Sequence, residues 1–143
     1  MSSITSRFEN DNRRLLRARD VMDREYWRDL DMIGLGQVAT MSRAHFIRSF
    51  KEVFGETPYR YLQRRRVERA MFLLRTTDRA VTDICMTVGF SSLGSFSRTF
   101  TGIVGVPPSI FRDRGRMPPV PNCFVKSWMR PSTFGEATGA ARP

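Results

Sequence analysis

The chain has 143 residues, 41% of them hydrophobic and 27% charged, with 24 Lys and Arg against 14 Asp and Glu for a formal net charge of +10. That length makes one ordinary domain or two very small ones, and the composition excludes a chain disordered throughout. It also excludes a membrane-spanning chain, since no apolar run approaches the ~18 residues a span needs. The positive surplus points to a polyanionic partner, although charge alone does not choose between DNA, RNA and an anionic membrane surface.

Residues 1–11 are polar, show no periodicity and lack the apolar core of a signal peptide, so they read as a frayed leader on a cytoplasmic protein. From Asn12, Leu15, Leu16, Met22 and Tyr26 recur at helical spacing, which predicts a first helix ending near Trp27. Asp31 is the predicted N-cap of a short helix bearing Met32, Leu35 and Val38 or Ala39. Gly34 and Gly36 weaken it, each costing ~1 kcal/mol against alanine in a helix interior. Ser42 should cap a helix from Arg43, in which Phe46, Phe50, Val53 and Phe54 form one apolar stripe and which Gly55 ends in the left-handed conformation. Thr57 and Pro58 begin the next helix as N-cap and first residue. It is predicted over residues 58–75, with Tyr59, Leu62, Ala70, Leu73 and Leu74 on one side. Arg66 falls on that stripe and reads as a buried structural residue needing a carboxylate, whereas Arg64 and Arg65 read as solvated. Thr82 is expected to cap a short helix with Ile84, Cys85 and Val88, and Gly89 and Phe90 to make a turn. Ser91 or Ser92 should then cap a helix that buries Phe96, Phe100, Ile103 and Val104, and VPPSIFRDR after Gly105 gives a last short helix.

The chain writes one phrase twice. HFIRSFKEVFGETP from His45 and SFSRTFTGIVGVPP from Ser95 pair Phe46 with Phe96, Arg48 with Arg98, Phe50 with Phe100, Gly55 with Gly105 and Pro58 with Pro108, at one offset (96 − 46 = 50). Short helix, tight turn, longer helix and stop is the helix-turn-helix arrangement, whose second helix enters the DNA major groove. The alternative is a duplicated helical hairpin used only for packing. Away from the phenylalanines the first of these helices shows Arg43, Ala44, Ile47 and Arg48, with Lys51 nearby; the second shows Leu93, Gly94, Ser95, Ser97 and Arg98, with Thr101 nearby. Small residues let a backbone approach base edges, and arginine can donate two hydrogen bonds to guanine, so both faces suit groove reading. The helix between the units would be ~27 Å long at ~1.5 Å per residue, close to the ~34 Å that separates successive major grooves on one side of a duplex.

These elements give an all-α chain: a leader over 1–11, a first helix-turn-helix subdomain over 12–56, a linker helix over 57–76, a second subdomain over 77–113 and a proline- and glycine-rich tail over 114–143. The two faces differ, so the expected site is asymmetric, bound by a monomer. Residues 32–80 hold ten basic against four acidic residues, so the middle of the chain is expected to hold phosphates more tightly than the hydroxyl-rich second unit.

MSRAHFIRSFKEVFGETPYRYLQRRRVERAMFLL followed by VTDICMTVGFSSLGSFSRTFTGIVGVPPSIFR resembles the DNA-binding domain of AraC/XylS transcription regulators over roughly residues 12 to 112. The resemblance implies a seven-helix fold of two helix-turn-helix subdomains joined by a long linker helix, with recognition helices in adjacent major grooves. It implies contacts to bases and phosphates from Arg43, Ala44, Ile47 and Arg48 and from Leu93, Gly94, Ser95, Ser97 and Arg98. It further implies a regulator, mostly an activator, that contacts RNA polymerase near the promoter. Most family members carry a separate effector or dimerisation domain, and this chain resembles the short stand-alone ones. Gly36 stands where the family usually has alanine, and Ala44 and Ile47 are less polar than usual. The first unit is therefore expected to read bases weakly or through thymine methyl groups.

No catalytic constellation, metal-ligand spacing or phosphate loop is present, so neither an enzyme nor a cofactor is expected. The single histidine, His45, is expected to touch a phosphate or the neighbouring subdomain. Cys85 and Cys123 lie far apart and read as reduced thiols. The tail reads as largely disordered, with Phe124, Trp128 and Phe134 as candidates for docking. Two rivals to a sequence-specific regulator stay open: a basic architectural protein that coats DNA without selecting sequence, and a DNA-binding fragment of a larger effector-responsive regulator.

Overall fold

The computed structural model describes residues 2–115, so the expectations for the tail beyond them, including Cys123, Phe124, Trp128 and Phe134, lie outside the described residues. Seven helices follow in order: α1 (Ser2–Glu25), α2 (Met32–Val38), α3 (Arg43–Phe54), α4 (Pro58–Thr76), α5 (Val81–Thr87), α6 (Leu93–Val104) and α7 (Pro108–Gly115). No described helix is long and apolar enough to cross a membrane. The chain divides into two compact units, Met1–Leu62 and Gln63–Pro143, and the division falls inside α4, the helix expected to serve as a linker.

In the first unit Leu15, Ala18 and Met22 of α1 pack with Leu35, Ala39, Met41, Phe46, Phe50, Tyr61 and Leu62. Phe50 is the hub: its ring meets Phe46 and Tyr61 edge-on at 5.7 and 5.6 Å and Phe54 at 4.5 Å. Two aromatic roles differ from expectation. Tyr59 is 62% exposed, while Tyr61 is 2% exposed and donates its hydroxyl to Asp23 Oδ1 at 2.6 Å. Pro58 fills the first-turn place on the buried stripe, which leaves Tyr59 outside. Likewise Ala18 faces inward and Leu16 outward. The expected leader is helical from Ser2, although residues 4–10 are all exposed. With no glycine or proline to stop it, a helix nucleated by the packed Leu15–Met22 stretch extends backwards at little cost per residue.

In the second unit Val67, Ala70, Met71, Leu73 and Leu74 of α4 share a core with Ile84, Cys85, Val88, Phe90, Phe96, Phe100 and Phe111. Phe90, Phe96, Phe100 and Phe111 form a relay of ring contacts at 5.2, 5.7 and 5.6 Å. Arg66 is buried, its guanidinium 5.9 Å from the Phe90 ring. Arg64 and Arg65 are not simply solvated: both donate to the Glu68 carboxylate, at 2.9 and 2.8 Å, because it lies one turn further on. Arg112 of α7 fastens the end of α4, donating to the carbonyls of Leu74 (3.1 Å), Thr77 (3.4 Å) and Arg79 (2.6 Å). Removing a charged donor strands several acceptors at once. Arg112→Ala is therefore expected to lower the stability of this unit by about 2 kcal/mol, read as a fall in Tm. Arg112→Lys should recover little of it, since an ammonium lacks the planar fork that spans three carbonyls.

Candidate nucleic-acid interface

Helices α2 and α3 form one helix-turn-helix and α5 and α6 the other, with matching backbone bonds through each turn. Ala39 and Met41 donate to Leu35 and Gly36; Val88 and Phe90 donate to Ile84 and Cys85. The second turn has one more residue, Ser91, between its buried aromatic and the capping serine. Ser42 and Ser92 each accept from the amide three residues on, His45 and Ser95, both at 3.2 Å. That bond fixes where each recognition helix starts.

The short first turn explains Gly36. A Cβ there would lie 2.9 Å from the Met41 carbonyl oxygen, whereas Cys85 holds the equivalent place beside the longer turn and is buried, with Sγ 3.5 Å from the Ser92 carbonyl oxygen. Burial pushes the Cys85 thiol above its ordinary range, which keeps it protonated and inert. In an open helix Gly→Ala would gain about 1 kcal/mol. Gly36→Ala is expected to lower Tm instead, while Gly102→Ala, whose added carbon meets nothing within 4 Å, should raise it. Thr40 takes the left-handed place of the first turn, with φ 53°, where the second unit uses Gly89 at φ 102°. Its hydroxyl donates to the Ala39 carbonyl at 2.7 Å.

One predicted cap moves. The N-cap of α5 is Ala80, with no side-chain cap bond, and Thr82 lies inside the helix. The start is held instead by Arg79, whose Nε donates to Asp83 Oδ2 at 2.7 Å and whose Nη2 donates to Thr87 Oγ1, spanning the helix face. The hydrogen bond raises the Arg79 pKa and lowers that of Asp83. Its stabilising effect is thus present above the ordinary carboxylate range and lost as acid protonates Asp83.

The predicted contact residues lie on two separate faces, one per unit. On α3, Arg43, Ala44 and Arg48 are exposed, and Ile47 is half-buried against the core. His45 is exposed in the first turn and Lys51 one turn after Arg48. On α6, Leu93, Gly94 and Arg98 are exposed and Ser95, Ser97 and Thr101 half-buried. Arg98 Nη1 lies 3.5 Å from the place a Cβ on Gly94 would take, so the guanidinium folds back towards the N-terminal turn. Recognition helices present that end to base edges. Arg60, exposed in the first turn of α4 beside the Thr57 cap, was not among the predicted residues. It becomes visible by pairing α4 with α7, where Ile110 holds the same place.

Paired short and long helices, repeated within one chain, define a tandem helix-turn-helix protein. A family model described as a helix-turn-helix domain matches residues 35–114. Over 78 residues the chain is 38% identical to an uncharacterized HTH-type transcriptional regulator of Haemophilus influenzae, covering 54% of this chain and 26% of that protein. Over 87 residues it is 31% identical to the MmsAB operon regulatory protein of Pseudomonas aeruginosa, covering 61% and 28%. The chain thus spans about a quarter of the length of these relatives. A solved regulator of Chromobacterium violaceum, described by its AraC-type DNA-binding domain, superposes with a TM-score of 0.68 at 27% identity, covering 76% of this chain and 96% of that one. The DNA-binding domain of AdpA, solved in complex with a target DNA, gives 0.69 at 28%, covering 71% and 92%. The chain belongs to the AraC-type helix-turn-helix family, and its helices form the DNA-binding domain of a transcription regulator.

Proposed function

We propose that this chain binds double-stranded DNA sequence-specifically as a monomer, with α3 and α6 inserted into successive major grooves of an asymmetric promoter site. The contacts are those predicted: Arg43, Ala44, Ile47 and Arg48 from α3, and Leu93, Gly94, Ser95, Ser97 and Arg98 from α6. The observation that carries the reading is the exposure of Arg48 and Arg98 at equivalent places on two equally capped helices. Small or hydroxyl-bearing neighbours at each place let the backbone approach a base pair. The AdpA domain, solved in complex with a target DNA, supports binding to DNA here. The protein then acts at the nucleoid as an activator, through contact with RNA polymerase at the promoter.

Selection of bound duplexes from a random pool tests this. The expected result is a gapped, two-part, non-palindromic motif spanning about two turns, bound by one chain per duplex in sedimentation. A pool that stays random, with unrelated duplexes bound as tightly at ~150 mM salt, would make the protein an architectural coat instead.

A further inference from the structure

Nearly every described cation of the second unit is already engaged by the protein. Arg64 and Arg65 hold Glu68, Arg79 holds Asp83, and Arg112 holds three carbonyls. Arg66, Arg69 and Arg75 lie over the rings of Phe90, Phe72 and Phe111 at 5.9, 4.8 and 4.4 Å. Among the described residues of that unit, only Arg98 and Arg114 make no such contact. The first unit is different. Arg43, Arg48, Lys51 and Arg60 are all exposed, and none forms an ion pair with a described residue.

The repeat makes the contrast position by position. Arg43, Lys51 and Arg60 stand where Leu93, Thr101 and Ile110 stand in the second unit, and of these four cations only Arg48 keeps a cationic partner, Arg98. Leu93 and Ile110 are 44% and 42% exposed, so these apolar side chains lie at the surface and not in the core.

We propose that the two readers divide recognition unequally: the first, beyond the base contact of Arg48, grips the DNA backbone through Arg43, Lys51 and Arg60, while the second reads base pairs with almost no electrostatic contribution. This rests on the DNA-binding reading above. Each neutralised phosphate releases counterions and steepens the dependence of log K on log salt by about 0.9. The three first-unit cations without counterparts thus account for about 2.7 of the slope, and Arg98 for no more than about 0.9. Within the second reader, Arg98 suits a guanine edge, and Leu93, in the first turn of α6, suits a thymine methyl.

The test is the salt dependence of binding by the full chain to its pool-selected duplex and to a scrambled duplex. The variants are Arg43→Gln/Lys51→Gln/Arg60→Gln, Arg98→Gln and the reciprocal Leu93→Arg/Ile110→Arg. All these positions are exposed, and thermal melts matching the parent confirm that each variant folds. The triple variant is expected to lose about 2 to 3 in slope and to weaken both duplexes alike. Arg98→Gln should lose no more than about 1 in slope yet erase preference at one base pair, and the reciprocal variant should gain about 2. An equal slope loss from Arg98→Gln and the triple variant, or a reciprocal variant with an unchanged slope, overturns the division. A parent chain with no preference between the two duplexes would instead remove the DNA reading beneath it.

Discussion

Arg48→Ala and Arg98→Ala should each weaken binding to the selected duplex by roughly 5- to 150-fold, about 1 to 3 kcal/mol, and each should flatten base preference at a different position of the site. The expectation follows from exposure and surroundings. Each guanidinium rises from the solvent face of a helix whose other face is locked by buried phenylalanines, and neither has an ion-pair partner among the described residues. The preceding turn carries Ala44 in one case and Gly94 in the other, so little stands between backbone and groove. If each arginine reads its own base pair, the losses combine in the double variant. A uniform loss across all sequences would assign that arginine to phosphate. Both substitutions lie at the surface, so Tm should hold within about 0.5 kcal/mol of stability.

The largest stability losses are expected at the hubs of the two cores. Phe50→Ala and Phe100→Ala should each cost about 3 to 5 kcal/mol, a large part of what a small domain has. Both rings are fully buried. Phe50 is ringed by Phe46, Phe54 and Tyr61, and Phe100 by Phe96 and Phe111. Truncation leaves a cavity at the base of the recognition helix, so the helix loses its seat together with its packing. Thermal denaturation reads the loss, and hydrogen exchange should show amide protection falling first in α3 or α6 respectively. Melts that shift by less than about 1 kcal/mol would mean that these rings are not the hubs.

Much of this arrangement was legible from residues alone because its signals are local. Ser42, Ser92 and Asp31 cap where their side chains can reach a free amide, and Gly55 and Gly105 stop helices at φ 82° and 95°. Phe46, Phe50, Phe96 and Phe100 bury because their spacing puts them on one face. Features set by distant contacts were not legible. The hydroxyl bond from Tyr61 to Asp23 joins residues thirty-eight positions apart. The carbonyls that Arg112 gathers lie thirty-three to thirty-eight positions before it, at the end of α4 and in the segment that follows. The pairing of Arg64 and Arg65 with Glu68 is local, and the spacing of one turn already marks it. Thr82 has the residue type of a cap, but the helix starts one residue earlier, after Ala80, where Arg79 pairs with Asp83 one turn on. On the candidate interface the repeat points to the proposed contact residues of α3 and α6, whereas Arg60 lies on α4, outside the repeated recognition helices.

The proposed insertion of α3 and α6 into successive major grooves requires the two half-sites to keep one rotational phase. Affinity of the purified chain for the selected duplex, compared with one carrying about five extra base pairs between the half-sites, tests this most directly, since about half a turn moves the second groove to the far side. The account predicts that affinity falls to that of a single half-site and that about ten extra base pairs restore phase without restoring affinity, because the proposed grooves are successive ones. Equal affinity for the selected and the five-pair duplex would contradict it.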